Sequence, residues 1–202
     1  MGTDTLFSTE IYKTRIVPSA DEFENLDFLL KNIFEKVDAN QCAMETGRST
    51  GSEMLTLHFF REMDWLTSAM YPYVKQYWEH LGYRKGADLG ILAAWANSHL
   101  ENDYTGVHTH CGGAEQSHIS AVFYFKKPKK SGNIEFIDPL EYIKQMTPIH
   151  HYSEHDVFKE VQAEQFDLIL FPSWLKHRTQ KNLSNEERIA ISINFVGYWN
   201  FN

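Results

Sequence analysis

The sequence predicts an α+β domain in which a β-sandwich or β-barrel packs on helices. Apolar residues recur at helical spacing in residues 19–82, and short alternating runs separated by turns fill residues 89–198. The size agrees, because 202 residues with 43% hydrophobic content can bury one substantial core. We therefore expect a single domain over residues 1–202, with helical support mainly in 19–82 and the β core mainly in 89–198.

The first elements are predicted from apolar spacing. Residues 6–17, LFSTEIYKTRIV, are rich in β-branched and aromatic residues and predict an opening strand. Ser19 to Glu22 form a capping-box pattern, and the apolar residues after it predict an amphipathic helix that reaches Val37. The polar stretch 38–55, rich in Gly and Ser, is expected to be a loop.

A second helix is predicted over Arg61–Leu81. Its apolar side chains again follow helical spacing, and Gly82 is suited to end it. Pro72 lies inside this stretch, where its missing N–H and its ring are expected to kink or break the helix.

Strand-like runs follow, bounded by turn residues, at 89–98, 119–127, 133–137, 166–171 and 188–198. The basic run Lys126–Lys130 is expected to be a solvated hairpin turn. Residues 138–165 form a long mixed segment, for which we expect a lid or rim beside a site.

Charge and cysteine content argue against several classes of function. A net charge of −8 argues against nucleic acid as a partner, because phosphate binding needs a surplus of Lys and Arg. Cys42 and Cys111 are isolated, so we expect neither a disulfide framework nor a cysteine-rich zinc site. No signal-peptide pattern or membrane-spanning apolar run is present, which predicts a cytoplasmic protein without a membrane partner. The aromatic content leaves room for a homodimer interface.

The pair His108-Thr-His110 is the sharpest local feature. Residues i and i+2 of an extended strand project to one face, so two imidazoles side by side make half of a metal site. His177, just past the predicted strand 166–171, could close such a site, since histidine is a common ligand of Fe, Zn and Cu. The pair alone leaves open a strand-end position without any ligand.

The last strand alternates between a polar and an apolar face: Arg188, Ala190, Ser192 and Asn194 against Ile189, Ile191, Ile193 and Phe195. If the apolar face packs on helices or a second sheet, Arg188 points inward, where an unpaired guanidinium is costly. Its partner would be an anion, either a structural carboxylate or the carboxylate of a bound co-substrate with Ser192 as a second donor.

These motifs together resemble a known family. The H-x-H pair, ISAVFYF (119–125), SGNIEFIDP (131–139), FPSWLKH (171–177) and ERIAISINF (187–195) resemble the Fe(II)/2-oxoglutarate-dependent oxygenases. The resemblance is strongest to a bacterial and phage branch that shares the pattern FPSWLxH. LFSTEIY (6–12) and the Trp-Ala-Asn tripeptide at 95–97 are also similar to that branch, so the likeness covers most of the chain and is weakest over 38–85.

The resemblance implies a double-stranded β-helix core, a jelly roll of cupin type, with supporting helices. It implies Fe(II) as the metal, with 2-oxoglutarate and O2 as co-substrates. The implied reaction is hydroxylation of an unactivated C–H bond with release of succinate and CO2. Arg188 would bind the distal carboxylate of 2-oxoglutarate. Asn97 and Tyr124 are candidates for further hydrogen bonds to it, as alternatives to satisfying a strand end or a backbone group.

The metal motif departs from the usual H-x-D/E pattern, because His110 stands at its second position. In one hypothesis His108, His110 and His177 form a three-histidine site. In a second, Glu115 or Asp103 supplies a carboxylate instead of one histidine, and in a third the site is degenerate. The matching alternatives in function are a three-histidine cupin dioxygenase that uses no 2-oxoglutarate and a non-catalytic jelly-roll binding protein.

The remaining histidines are expected to lie outside the metal site: His99 and His118 beside strands, and His150, His151 and His155 in an exposed loop. Cys111 is expected to be a bystander, and Trp174 to pack against the strand end that carries His177. The substrate, a small molecule or a peptide, cannot be inferred, because residues 38–60 and 138–165, which would select it, carry no interpretable motif.

Overall fold

The computed structural model describes residues 8–42, 45–53, 56–111, 116–146 and 157–198. In chain order the elements are β1 (Tyr12–Arg15), α1 (Ala20–Phe34), β2 (Asn40–Cys42), β3 (Glu45–Ser49), α2 (Asp64–His80), β4 (Asp88–His99), β5 (Ile119–Lys126), β6 (Ile134–Ile137), α3 (Glu141–Gln145), β7 (Phe158–Val161), β8 (Asp167–Pro172), β9 (His177–Thr179) and β10 (Arg188–Tyr198). Short 3₁₀ turns join β3 to α2.

Over these ranges the strands form two antiparallel sheets. The large sheet has the order β1-β8-β5-β10-β4-β3-β2, and the small sheet has the order β7-β6-β9. A cluster of buried side chains between them combines Val122, Phe171 and Ala190 of the large sheet with Ile134 and Phe136 of the small one. The interior between the two sheets is therefore where a site can form, and the predicted α+β class is confirmed.

The helices cover the outer face of the large sheet. Phe23 of α1 stacks on Phe125 of β5 with 4.7 Å between ring centroids, and Trp65 of α2 lies edge-on to Phe123. The apolar residues of β10, Ile189, Ile191, Ile193 and Phe195, belong to the same buried cluster as these helices. The polar face of β10 consequently faces the interior, as its alternation predicts.

The start of α1 and the end of α2 form as the sequence indicates, whereas α1 ends at Phe34 rather than Val37 and α2 begins at Asp64 rather than Arg61. The Ser19 hydroxyl accepts from the Glu22 N–H and the Glu22 carboxylate accepts from the Ser19 N–H, which is the predicted capping box. At the end of α2, Gly82 has φ +73°, and the N–H groups of Gly82 and Tyr83 donate to the carbonyls of Glu79 and Trp78. This is a Schellman motif, in which glycine provides the left-handed turn.

Of the kink or break predicted at Pro72, the break is wrong, because α2 runs through it from Asp64 to His80. Buried residues on both sides of the proline, Met70 before it and Val74 after it, pack into one core cluster. Tertiary packing of this apolar face offsets the lost hydrogen bond and the ring clash.

The predicted loop 38–55 is wrong in part, since it contains β2 and β3. Arg48 and Ser49 of β3 pair with Ser98 and Asn97 of β4, so β3 and β2 extend the large sheet. Their polar composition carries no strand signal, because an existing sheet edge pairs through backbone groups that every residue except proline has.

The other strand predictions are confirmed, with short additions. β4, β5, β6, β8 and β10 match the five predicted runs, whereas β7 and β9 were not predicted. Of the opening strand 6–17, β1 realises Tyr12–Arg15, and residues 6 and 7 lie outside the described part. The segment 138–165 contributes α3 and β7, while residues 147–156 lie outside the described part, so its role as a lid stays a prediction.

The basic run Lys126–Lys130 is not a hairpin tip, because β5 and β6 belong to different sheets. Lys126 pairs with Asp27 of α1. Burial, and then the charge of Arg188, lower the pKa of Lys127 to about 8, whereas Lys129 and Lys130 form an exposed turn, so the solvated turn is confirmed for these two residues only. Among the helices described, none is long and apolar enough to cross a membrane. That the chain is one domain from 1 to 202 stays a prediction.

Candidate active site

Backbone pairing brings the three candidate histidines together. His108 and His177 face each other in an antiparallel bridge, with N···O distances of 3.0 and 3.1 Å in the two directions. The N–H of His110 donates to the carbonyl of Ser173 at 3.0 Å, which fixes the segment two residues further on. One ligand atom from each of the three imidazoles lies within 4.8 Å of the others. Side chains distant in sequence thus converge on one point.

Each imidazole is held through its Nδ1 atom. His108 Nδ1 lies 2.9 Å from the carbonyl of Gly106, and His177 Nδ1 lies 2.9 Å from the carbonyl of Leu175. Because a carbonyl oxygen only accepts, Nδ1 carries the proton in both rings, and the lone pair of Nε2 is left free. The structure therefore selects the tautomer that presents Nε2.

His110 is oriented by a buried polar network. Its Nδ1 lies 2.8 Å from Asn194 Oδ1 and 2.7 Å from Ser120 Oγ. The Ser120 hydroxyl in turn lies within hydrogen-bond distance of Asn194 and of Ser173, which contacts Ser117. Donation from Nδ1 to the Asn194 oxygen leaves Nε2 of His110 free as well. Outer partners of this kind fix the tautomer of metal-binding histidines.

The free nitrogens of His108 and His110 lie 3.1 Å apart. Two lone pairs at this distance repel unless a cation lies between them. Protons do not supply that cation, because burial, and then the neighbouring His108, lower the pKa of His110 to about 4 and that of His177 to about 2. Three neutral imidazole donors suit Fe, Zn or Cu, so the residues present fit a transition metal.

The alternative carboxylate ligands do not join the cluster in the described ranges. Asp103 accepts from the backbone N–H of Leu100 at 2.9 Å and is not part of the group of three. Glu115 lies outside the described residues, as do His150, His151 and His155. The geometry present corresponds to the three-histidine hypothesis.

A cavity of about 190 Å³ lies beside the cluster. It is lined by Ser49, Trp95, Asn97, His99, Thr105, His108, His110, Val122, Tyr124, Ile134, His177, Thr179, Arg188, Ala190 and Ser192. The structure thus gathers every predicted contact of 2-oxoglutarate, namely Arg188, Ser192, Asn97 and Tyr124, around one space with the histidines. Arg188 is the one residue of the lining with a fixed charge.

Arg188 is 1% exposed and has no carboxylate partner in the described part of the chain. Its Nη1 donates to the carbonyls of Ser131 and Gln180, the latter at 3.1 Å. Its Nη2 donates to His99 Nδ1 at 3.0 Å and to Thr179 Oγ1 at 3.2 Å. Nε is buried without a partner. The structural Asp or Glu considered from the sequence is thus not found beside Arg188 in the described residues. The charge of the guanidinium is therefore available to compensate an anionic ligand.

The terminal nitrogens of Arg188 are already occupied, which modifies the predicted bidentate contact. Each carries two N–H groups and has two protein acceptors, so the Nε–H is the donor left for a ligand. Burial raises the pKa of Tyr124 to about 12, so its hydroxyl stays protonated. Nε–H and the hydroxyls of Tyr124 and Ser192 are then donors that line the cavity.

Sequence reasoning missed several residues of the site. His99, Thr105 and Thr179 contact Arg188 or each other, and the only signal for His99 would have been its register opposite Arg188 across β4 and β10. Asn194 was placed on the polar face of β10, but its contact with His110 was not predicted.

Three nearby residues lie outside the histidine cluster. Trp174 is 46% exposed, and its packing against the strand end that carries His177 stays a prediction. Cys111 is exposed and outside the histidine cluster, as a bystander would be. His118 packs edge-on against Trp78 at 5.4 Å and is likewise not in the cluster.

A family model described as "Putative 2OG-Fe(II) oxygenase" matches residues 93–194. This range includes the three histidines and Arg188. Comparison with curated protein sequences finds no match to this chain.

Solved structures of similar shape share little sequence with the chain. A prolyl-4-hydroxylase of Pseudomonas putida has a TM-score of 0.60 at 13% identity, covering 93% of this chain and 92% of its own. The collagen prolyl hydroxylase of Paramecium bursaria Chlorella virus-1, in complex with 2-oxoglutarate, has a TM-score of 0.58 at 11% identity, with 92% and 94% covered. HygX of Streptomyces hygroscopicus, with nickel, 2-oxoglutarate and hygromycin B bound, has a TM-score of 0.58 at 13% identity, with 93% and 82% covered. This likeness confirms the predicted double-stranded β-helix core.

Proposed function

Since the chain belongs to the 2OG-Fe(II) oxygenase family, we propose that His108, His110 and His177 hold its iron and that Arg188 binds its co-substrate. The protein is an Fe(II)- and 2-oxoglutarate-dependent oxygenase that consumes O2.

The observation that carries the metal assignment is the convergence of three free Nε2 atoms. All three Nδ1 atoms are hydrogen-bonded to other residues of the protein, so the orientation of the neutral imidazoles does not depend on a bound metal. In the part of the chain that the structure describes, this is the one group of three metal-ligating side chains.

The co-substrate assignment rests on charge and on size. The cavity of about 190 Å³ is smaller than the roughly 300–1,000 Å³ of pockets for drug-sized ligands, which suits a small dicarboxylate. The charge of Arg188 is not compensated, because all its described hydrogen-bond partners are neutral, and one carboxylate of the dicarboxylate would compensate it. We place the distal carboxylate at the Nε–H of Arg188, with the hydroxyls of Tyr124 and Ser192 as further donors, and assign Asn97 to the same ligand.

When bound, iron supplies the site at which O2 oxidises 2-oxoglutarate to succinate and CO2, coupled in our proposal to hydroxylation of an unactivated C–H bond. The chain's own residues place and shield the reactants. Asn194 and Ser120 orient His110, and Val122, Ile134 and Ala190 give the cavity an apolar wall that excludes water.

The substrate is a small molecule or a peptide in our proposal, with neither nucleic acid nor membrane as a partner and with the cytoplasm as the compartment. A homodimer remains a proposal without a described interface. A three-histidine cupin dioxygenase that uses no oxo acid and a non-catalytic jelly-roll binding protein are both disfavoured by family membership and by the charged end of the cavity.

The test is an anaerobic titration of metal-free protein with Fe(II) and then with 2-oxoglutarate. We expect a weak visible metal-to-ligand charge-transfer band in the wild type, no band in His177→Ala, and a weakened band in Arg188→Ala. His80→Ala serves as the control, because His80 lies on the surface outside the cluster.

Each outcome bears on one assignment. Iron binding without a band on addition of 2-oxoglutarate would support the three-histidine dioxygenase. Loss of iron from His80→Ala as well as from His177→Ala would contradict the assignment of the three ligands.

A further inference from the structure

We propose that His99 is a positioning residue that holds the Arg188 guanidinium for the distal carboxylate of 2-oxoglutarate. This inference rests on the proposed role of Arg188. It assigns His99 neither to the metal nor to direct contact with the reacting atoms.

The two side chains meet inside the fold at one rung of the large sheet. Arg188 of β10 is in register with His99 of β4, and the residues are 1% and 3% exposed. Arg188 Nη2 lies 3.0 Å from His99 Nδ1. Because a guanidinium only donates, Nδ1 must be the acceptor, and the proton of the ring is on Nε2.

The opposite nitrogen of the ring completes a tether. His99 Nε2 lies 3.1 Å from Thr105 Oγ1, so the Nε2–H donates to that hydroxyl. Burial, and then the charge of Arg188, lower the pKa of His99 to about 3. The imidazole is therefore neutral at neutral pH and remains an acceptor for Arg188.

Thr105 connects this tether to the strands that carry the histidine cluster. The Thr105 N–H donates to Thr179 Oγ1 at 2.8 Å, and the Thr179 N–H donates to the Thr105 carbonyl at 3.0 Å. Thr179 Oγ1 also accepts from Arg188, which closes a ring of four residues. The same two segments pair at His108 and His177, so the ring fixes Arg188 relative to the proposed metal ligands.

A neutral acceptor is required at this position. A carboxylate beside Arg188 would neutralise the guanidinium and compete with the carboxylate of the ligand. Histidine in this tautomer accepts a hydrogen bond without bringing a charge. It thereby occupies an N–H of Nη2, prevents rotation of the guanidinium, and leaves the Nε–H as the donor for the ligand.

The experiment measures binding to the nickel-loaded, full-length protein by calorimetry, with 2-oxoglutarate and with 2-oxopentanoate as probes. The second probe has the same chain but lacks the distal carboxylate. We expect His99→Phe, which keeps a ring but removes both hydrogen bonds, to raise the Kd for 2-oxoglutarate by about tenfold or more. The Kd for 2-oxopentanoate and the affinity for nickel should stay within about twofold.

Three further variants separate positioning from general loosening. His99→Asn places an amide oxygen near the position of Nδ1 and should restore the affinity for 2-oxoglutarate to within about threefold. Thr105→Val is a milder change that removes only the hydroxyl that fixes the tautomer of His99. It should raise the Kd for 2-oxoglutarate and leave the Kd for 2-oxopentanoate unchanged. Thr50→Val is the matched control. It removes the buried hydrogen bond that the Ala96 N–H donates to Thr50, and Ala96 lies on β4, as His99 does, but away from Arg188.

The results distinguish this inference from the assignment of Arg188. If Arg188→Met loses the preference for 2-oxoglutarate over 2-oxopentanoate and folded His99→Phe keeps it, the role of His99 is wrong and that of Arg188 stands. If Arg188→Met keeps the preference, the assignment of Arg188 itself fails. Should His99→Phe not fold, an unchanged preference in Thr105→Val overturns the inference, and a reduced preference there supports it.

Discussion

At the scale of the residue, the candidate metal site depends on which nitrogen of each imidazole is free. The Nδ1–H of each histidine donates a hydrogen bond to the protein. The acceptors are the carbonyls of Gly106 and Leu175 and the side chain of Asn194. The side chain of Asn194 is the partner whose removal leaves the backbone intact. Substitution of Asn194 is therefore the most selective test of how the protein supports the proposed metal ligands.

We predict that Asn194→Leu lowers metal affinity by about 10- to 100-fold, because His110 loses an acceptor that fixes its tautomer and orientation. The measurement is competition for Fe(II) or Zn²⁺ against a chelator of known affinity. Asn133→Leu is the matched control, since Asn133 is equally buried but bonds to Glu160 and Ala163. Wild-type affinity in Asn194→Leu would show that the network does not support the ligand.

The sequence indicated the site residues but not their hydrogen bonds. The H-x-H spacing and the alternation of β10 are local patterns, and they identified His108, His110 and Arg188. The contact between His110 and Asn194 joins residues 84 positions apart, and that between Arg188 and His99 joins residues 89 apart. Such contacts depend on strand register, which no local pattern specifies.

At the scale of the element, α2 retains a proline that local rules disfavour. Pro72 lies on the exposed side of the helix and leaves the carbonyl one turn earlier without its usual donor. We predict that Pro72→Ala raises the free energy of unfolding by about 1–3 kcal/mol in urea denaturation. Lys75→Ala, at another exposed position of α2, should change it by less than about 0.5 kcal/mol. A lower stability for Pro72→Ala would mean that the fixed backbone angle of the proline outweighs the missing hydrogen bond.

The edge strand β1 is held by a buried carboxylate. Asp167 of β8 has a side chain 3% exposed and pairs with Lys13 at 2.9 Å and with Arg15 at 2.9 Å. Burial raises the pKa of Asp167, but the bonds from Lys13, the Glu164 N–H and Arg15 outweigh it and bring the pKa below its ordinary value. The carboxylate thus stabilises the fold in its ionised form.

We predict that Asp167→Asn lowers the free energy of unfolding by about 1–3 kcal/mol near neutral pH. A carboxyl whose pKa is lower in the folded state contributes stability above its unfolded pKa of about 3.9, and the contribution is lost as pH falls through the folded value. Urea denaturation at decreasing pH should therefore show the difference between wild type and Asp167→Asn shrinking below about pH 4. A difference that does not depend on pH would assign the effect to packing alone.

At the scale of the whole molecule, the candidate site joins four separate segments. His99 comes from β4, His108 and His110 from the segment after it, His177 from β9, and Arg188 from β10. Metal and co-substrate that bind the histidine cluster and Arg188 stabilise the native state, because the site does not exist in the unfolded chain.

We predict that Fe(II) and 2-oxoglutarate together raise the melting temperature under anaerobic conditions. A ligand at 100 times its Kd increases the free energy of unfolding by about 2.7 kcal/mol. A chelator should reverse the gain, and His177→Ala should not show it. Mg²⁺ is the control cation, because it prefers oxygen ligands and should not stabilise a site of three imidazoles. Equal stabilisation by Mg²⁺ would contradict a nitrogen-ligand site.

The sequence by itself determined the elements whose residues carry a complete local signal. The capping box of α1, the glycine stop of α2 and the alternation of β10 each place burial on one face, and a strong one-sided pattern leaves few alternatives. Tertiary structure decided the rest. The strands β2 and β3 form because β4 offers an edge, and α2 continues through Pro72 because both of its halves pack on one core.

The same division applies to the site. The residues proposed to bind the metal and the co-substrate can be identified in the sequence as His108, His110, His177 and Arg188, because their types and spacings are themselves the signal. Only the fold determines that the three imidazoles converge, that Arg188 meets no described carboxylate, and that Arg188 contacts His99. The physical reason is that orientation, tautomer and charge compensation are set by neighbours that the chain brings together across the sheet.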